Sequence, residues 1–186
     1  MHPDHIGGLF PFLFYRKIFN ISSSLTLIGP PNLKDYLLDS FNHAGIILNQ
    51  DIIFVNIAEK NKILLKGKVK VKMMEMKHKI PCWGYALMDD EKKITFITDT
   101  KKNKNAIVLS KDSDVLIHES TYDNKKREKA NEHFHTTNIQ AMEIADEANV
   151  KRLILTHFSQ SLMDEDIKKW TWGGKKCVVF DERQMI

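Results

Sequence analysis

The chain has 186 residues, of which 42% are hydrophobic and 28% charged, and a formal net charge of +4. That length and balance suit one globular domain with a substantial core, and they exclude a disordered or low-complexity chain. The mild positive charge permits an anionic substrate without requiring one, because Lys-rich surfaces are commonly just solvated.

In chain order, the sequence opens on "MHPDHIGGL", which crowds His2, Asp4 and His5 into four positions. Imidazole and carboxylate are ligands for zinc, manganese or iron. A loop of this kind needs a strand before it, and none precedes it here. The aromatic run "FPFLFYRKIF" is expected to form core or a dimer face. The stretch "IGGLFPFLFY" is too short to span a bilayer and lacks a signal-peptide pattern, so no membrane partner and a cytoplasmic location are expected.

A strand is predicted at "LTLIG" from Leu25. "PPNLKDYLLDSFNHAG" then reads as a helix with proline near its start and Gly45 as its stop. Further strands are predicted at "DIIFVNI" from Asp51, "KVKVKMMEM" from Lys68, "WGYALM" from Trp83 and "ITFIT" from Ile94. "KVKVKM" alternates strictly, so one of its faces is wet. "DVLIH" from Asp114 and "RLILT" from Arg152 are nearly continuous apolar runs, as expected of strands covered on both sides. Between them "TTNIQAMEIADEAN" reads as a helix capped by threonine, with Ile139, Met142, Ile144 and Ala145 on one face. "CVVFD" from Cys177 closes the series. The pattern predicts a mixed α/β sandwich with outer helices, one domain over residues 1–186. Cys82 and Cys177 lie far apart and read as reduced thiols.

The strand endings carry the chemistry. His78, Asp99, the pair His118–Glu119, and His157 each follow a strand-like run. Ligands at strand ends along one sheet edge can converge on a cleft while the strands hold them rigid, which suits a metal centre. Taken in order, "HPDH", "MKHKIPCWGYAL", "FITDT", "LIHESTYD", "FHTTNIQA" and "LILTHFS" resemble the metallo-β-lactamase superfamily and, within it, the ribonuclease Z family of transfer-RNA 3′ endonucleases. The resemblance runs from residue 1 to about residue 160.

That resemblance implies an αββα sandwich holding two metal ions, zinc with manganese or iron as alternatives. By family pattern His2 and His78 serve the first metal, Asp4, His5 and His157 the second, and Asp99 bridges both. Asp4 orients the attacking water or takes its proton, and His135, backed by Glu119, donates a proton to the leaving 3′ oxygen. His118 is assigned to support behind the site, and His43 and His133 to the solvated surface. The family motif is His-x-His-x-Asp-His, and its first histidine would stand just before Met1. The expectation is therefore a chain truncated at its N-terminus, without the family's leading strands.

The implied function is metal-dependent phosphodiester hydrolysis, with precursor transfer RNA as substrate and partner and a homodimer as a possible assembly. The alternatives are another hydrolase of the superfamily acting on a small phosphodiester or ester, or a catalytically impaired remnant. The basic runs at Lys101, Lys102 and Lys104 and at Lys125, Lys126 and Arg127 are candidate contacts to an RNA backbone. After His157 the chain reads "HFSQSLMD", without the arginine and tyrosine of the family pattern.

Overall fold

Every predicted site residue from His78 onwards except His135 ends or follows a strand of one sheet, so the order of its strands decides where the site forms. The computed structural model describes residues 2–48, 51–57, 62–64, 68–162, 164–173, 175–176 and 178–179. They fall in two compact units, Met1–Asn61 and Lys62–Ile186.

In the first unit the "HPDH" motif forms a short helix, α1 (Pro3–Ile6), with proline where a first-turn N–H would have no partner anyway. The aromatic run forms α2 (Leu9–Ile18), followed by β1 (Leu25–Gly29), α3 (Leu33–His43) and β2 (Ile52–Asn56). β1 and β2 pair in parallel, Leu25 opposite Ile52. Helix α3 buries Leu33, Leu37 and Phe41, spaced by four along one face, and Leu13 of α2 joins their cluster. Gly45 stops α3 as predicted, with φ +69°, while the Ile46 N–H reaches back to the Phe41 carbonyl. The expectation that the aromatic run is core is only partly met. Leu13 is buried and Leu9 and Phe10 pack beside it, but Phe12, Phe14, Tyr15, Ile18 and Phe19 are exposed. A helix apolar all round can turn only one stripe to a core.

In the second unit the strands are β3 (Lys62–Leu64), β4 (Lys70–Met76), β5 (Cys82–Met88), β6 (Lys93–Ile97), β7 (Val115–Glu119) and β8 (Leu153–Thr156), with short strands β9 (Thr171–Trp172), β10 (Lys175–Lys176) and β11 (Val178–Val179). Seven of them form one sheet in the order β11-β8-β7-β6-β5-β4-β3, and β9 pairs with β10. β6, β7, β8 and β11 run parallel, whereas β3 to β6 pair antiparallel. Two successive antiparallel pairings return β4 to the direction of β6. The C-terminal ends of β4, β6, β7 and β8 therefore share one edge.

The helices of this unit are α4 (Lys104–Ser110), α5 (Arg127–Glu132), α6 (Asn138–Glu147) and α7 (Asp164–Ile167). A core of Ile97, Leu109, Leu116, Ile144, Leu153 and Leu155, among others, lies between sheet and helices. Gly84 permits the close approach: a Cβ there would lie 2.8 Å from the Met76 methyl and 3.0 Å from side-chain atoms of Ile97 and Leu109. The predicted alternation holds at the start of β4, with Val71 and Met73 buried and Lys70 exposed, but Met76, on the same face as Lys70, is buried in the core. Among the described residues no helix is long and apolar enough to cross a membrane. Cys177 and the end of "CVVFD" lie outside the described residues, apart from the two residues of β11.

One expectation on α6 needs correction. Met142, Ile144 and Ala145 are buried together with Ala141 and Ala148, but Ile139 is exposed. At about 100° per residue, Ile139 stands ~200° around the helix from Ala141, on the far side from the sheet. Replacing Ile144 by alanine is expected to cost about 2–5 kcal/mol in urea unfolding. Ile139→Ala should change stability by less than ~1 kcal/mol. Equal effects would contradict this orientation.

Candidate metal centre

The site of the second unit is assembled by its strand exits. Thr100, immediately after β6, locks two of them together. Its Oγ1 accepts the Lys77 N–H at 3.1 Å, and the Lys101 N–H donates to the Lys77 carbonyl at 3.1 Å. This ties the exit of β4, which carries His78, to the exit of β6, which carries Asp99. Asn103 extends the lock. It caps α4 by accepting the Ala106 N–H and donates through Nδ2 to Thr100 Oγ1 at 2.8 Å.

Asp99 and His157 follow their strands in the left-handed region, with φ +51° and +58°, and Phe134 just before His135 has φ +60°. Aspartate and histidine tolerate this conformation better than most residues, whereas for a bulky phenylalanine it costs on the order of 1 kcal/mol or more. All three places aim a side chain or a carbonyl into the site. The loop after Phe134 is held rigid by a capping box on α6: Thr137 Oγ1 accepts the Gln140 N–H and Gln140 Oε1 accepts the Thr137 N–H.

Three predicted ligands meet here. Asp99 Oδ1 lies 3.3 Å from His157 Nε2, and its other oxygen, Oδ2, lies 3.7 Å from His78 Nε2. Both separations are longer than an ordinary N–H···O hydrogen bond of about 2.7–3.2 Å. The other ring nitrogens explain why. His78 Nδ1 is 3.1 Å from the Phe134 carbonyl, which can only accept, so Nδ1 carries the proton. His157 Nδ1 is 3.0 Å from Thr121 Oγ1, whose own proton goes to Glu119 Oε2 at 2.6 Å, so this Nδ1 is protonated too. When the rings are neutral, each Nε2 turns a lone pair towards a carboxylate oxygen of Asp99.

Two acceptors facing each other repel unless a cation lies between them. With metal–ligand distances of about 2.0–2.1 Å and tetrahedral angles, two ligands of one zinc stand ~3.3–3.4 Å apart. The His157 pair matches that spacing and the His78 pair is a few tenths of an ångström wider, so the donor set suits a divalent ion beside Asp99, whose side chain is only 6% exposed.

Glu119, the last residue of β7, is fully buried and receives four donors. The Thr100 N–H reaches Oε1 at 2.6 Å, the Thr121 hydroxyl and the Thr136 N–H reach Oε2 at 2.6 and 3.1 Å, and His135 Nδ1 lies 3.1 and 3.2 Å from the two oxygens. Burial alone would push this carboxyl up. The hydrogen bond and charge of His135, then the Thr121 hydroxyl and Thr136 N–H, outweigh it and hold the group below the usual carboxylate range. Asp99, His135 and His157 offer three ligand atoms within 4.8 Å of one another. Yet His135 Nδ1 is 4.0 Å from Asp99 Oδ1 and markedly nearer Glu119, so its commitment is to the glutamate. That leaves Nε2 as the nitrogen able to exchange a proton with a substrate.

His2 precedes α1, and Asp4 and His5 lie on it, in the first unit, with His5 Nε2 3.4 Å from Asp4. His118 lies within β7 and is fully buried. Burial lowers its pKa, so the ring is neutral, with Nδ1 at 2.8 Å from the Glu119 carbonyl. Burial also pushes the Cys82 thiol up to about 12, helped by the charges of Asp99 and Glu119, which keeps it an unreactive thiol. Sequence reasoning missed Thr121. Its hydroxyl touches Glu119, His157 and, at 3.3 Å, His135. The only signal was its place two residues after Glu119, on the same side of an extended chain.

The chain matches the model of the β-lactamase superfamily domain over residues 1–158. It is 30% identical to the ribonuclease Z of Streptococcus pyogenes serotype M3, across all of this chain and 77% of that protein. The chain belongs to the ribonuclease Z family. Its backbone superposes on the crystal structure of the short form of human tRNase Z (ELAC1) with a TM-score of 0.73 at 27% identity, covering 86% of this chain and 70% of that one. It also superposes on the metallo-β-lactamase fold protein YhfI from Bacillus subtilis with a TM-score of 0.77 at 17% identity, covering 96% and 70%, a likeness of fold. As a ribonuclease Z family member the chain is a metal-dependent hydrolase with the metallo-β-lactamase fold.

The pH dependence of stability tests the buried glutamate. A carboxyl held below its unfolded value stabilises the fold at neutral pH. That contribution is lost as pH falls below about 4.3 towards the folded value. In metal-free protein the melting temperature should drop between about pH 5 and 3, and the Glu119→Gln curve should be lower at pH 7 and flatter in that acid window. Parallel curves would contradict the assignment.

Proposed function

We propose that the chain cleaves precursor transfer RNA at its 3′ end, as a zinc-dependent phosphodiesterase. The observation that carries the reading is Asp99 with one imidazole on each carboxylate oxygen, beside a His135–Glu119 pair, in a chain 30% identical to a named ribonuclease Z. We further propose that the two units make one catalytic domain. In it His2 and His78 serve one zinc, and Asp4, His5 and His157 the other, with Asp99 shared. The sequence motif and family membership support this set. A cytoplasmic location fits an RNA substrate of this kind, and a homodimer is compatible with the exposed apolar side chains of α2.

When bound, the cations lower the pKa of water and clamp the phosphate oxygens during in-line attack. The side chains do the rest. His78 and His157 would offer their Nε2 atoms to the ions, because Phe134 and Thr121 engage the Nδ1 atoms. Asp4 orients the attacking water and accepts its proton. His135 protonates the departing 3′ oxygen, and Glu119 stabilises the imidazolium beforehand while fixing which nitrogen faces the substrate.

The test compares a transfer-RNA precursor with bis-p-nitrophenyl phosphate. Cleavage at the 3′ boundary of the transfer RNA, abolished by chelator and restored by zinc, is expected. His135→Ala should lower kcat on the precursor by about 10²–10⁴-fold with little change in KM. Hydrolysis of the small ester alone would remove the RNA assignment and leave a small-phosphodiester hydrolase.

A further inference from the structure

The basic runs of the sequence are not equivalent in the fold. Lys102 is consumed by Glu143 and Glu147 of α6, at 2.8 and 2.5 Å, and Arg127 lies 3.8 Å from the same Glu143. Lys126 donates to Ser161 Oγ at 3.1 Å. Two other lysines are placed differently. Lys101 holds its ammonium 4.6 Å from the centre of the Phe134 ring, and Lys129 holds its own 5.9 Å from the centre of the Tyr122 ring. Among the described residues neither has a carboxylate within ion-pair distance.

Both rings belong to the wall of the site. The Phe134 carbonyl accepts from His78 Nδ1, and Phe134 is the residue before His135. Tyr122 packs edge-on against His135 at 6.3 Å and follows Thr121. Lys101 itself stands two residues after Asp99. A ring face steadies an ammonium without using its hydrogen-bond donors, so each lysine keeps its N–H groups for an anion. The two cations are thus presented on rings that adjoin the proton donor, Phe134 in sequence and Tyr122 in packing.

We infer that Lys101 and Lys129 bind two backbone phosphates of the RNA strand flanking the scissile bond, and so position that strand across His135. This rests on the proposed RNA substrate. Phosphate contacts of this type fix register without reading sequence. They also leave a signature: each single-strand phosphate neutralised contributes about 0.7 to the slope of log affinity against log salt concentration.

The experiment measures binding of a single-stranded RNA oligonucleotide to the zinc-loaded full chain by fluorescence anisotropy across a salt series, alongside precursor cleavage. In the Lys101→Gln/Lys129→Gln variant the slope should flatten by about 1.4 and affinity at physiological salt fall roughly ten-fold, alike for unrelated RNA sequences. Lys129→Ala alone, at an exposed position that cannot compromise folding, should flatten it by about 0.7. Lys151→Ala, whose ammonium is engaged by Asp114 at the opposite end of the strands, should leave the slope unchanged. An unaltered slope in both site variants, or no RNA binding by the wild type, overturns the inference. Cleavage of precursor with unaltered slopes would sink the clamp and keep the proposed function. Flattened slopes without cleavage would do the reverse.

Discussion

A buried carboxylate between two imidazole rings is the constraint on which the rest of this structure turns. Asp99 is almost wholly shielded from water, and each of its oxygens faces the Nε2 of a histidine. With both rings neutral, lone pairs and carboxylate would repel in this poorly solvated space. The arrangement becomes favourable when divalent ions occupy the gaps. Holding carboxylate and imidazole groups at this spacing before a cation arrives is the sense in which such a cluster would be preorganised for a metal.

What holds the cluster in place is a second layer of groups with no charge of their own. Thr100 ties two strand exits together, Thr121 joins Glu119 to His157, and the Phe134 carbonyl fixes the tautomer of His78. Three residues in left-handed backbone conformations supply the aim. The cost of those conformations is borne by the parallel strands β6 to β8 and by the core of Ile97, Leu116, Leu155 and Ile144, all fully buried. Chemistry at the edge of the sheet is thus supported by packing in its middle.

Much of this was legible in the amino-acid order. Strands reveal themselves by alternation or by short apolar runs, and every predicted strand within the described residues is present. Residues that end strands could therefore be picked out as a group: His78, Asp99, Glu119 and His157. Their type marked them as ligands, and the HTT sequence marked both His135 and the cap that steadies it. Other features were hidden for physical reasons. The helix α4 begins inside a lysine- and asparagine-rich run that reads as solvated surface, and only the cap made by Asn103 shows why it starts there. The exposure of Ile139 depends on which arc of α6 meets the sheet, which a short apolar pattern does not decide. Nor can charge runs show which lysines are neutralised, because Glu143 and Glu147 lie some forty residues from Lys102 in the chain. The positive φ angles of Asp99 and His157 belong to tertiary structure and leave no local trace.

The most direct measurement is the metal content of purified chain equilibrated with zinc, compared among the wild type and the Asp99→Ala, His78→Ala and His157→Ala variants by elemental analysis. Each histidine variant is predicted to lose one of the two ions while the other stays bound. Asp99→Ala should lose both, because a single carboxylate serves the pair. Zinc retained by Asp99→Ala at the wild-type level would contradict the account.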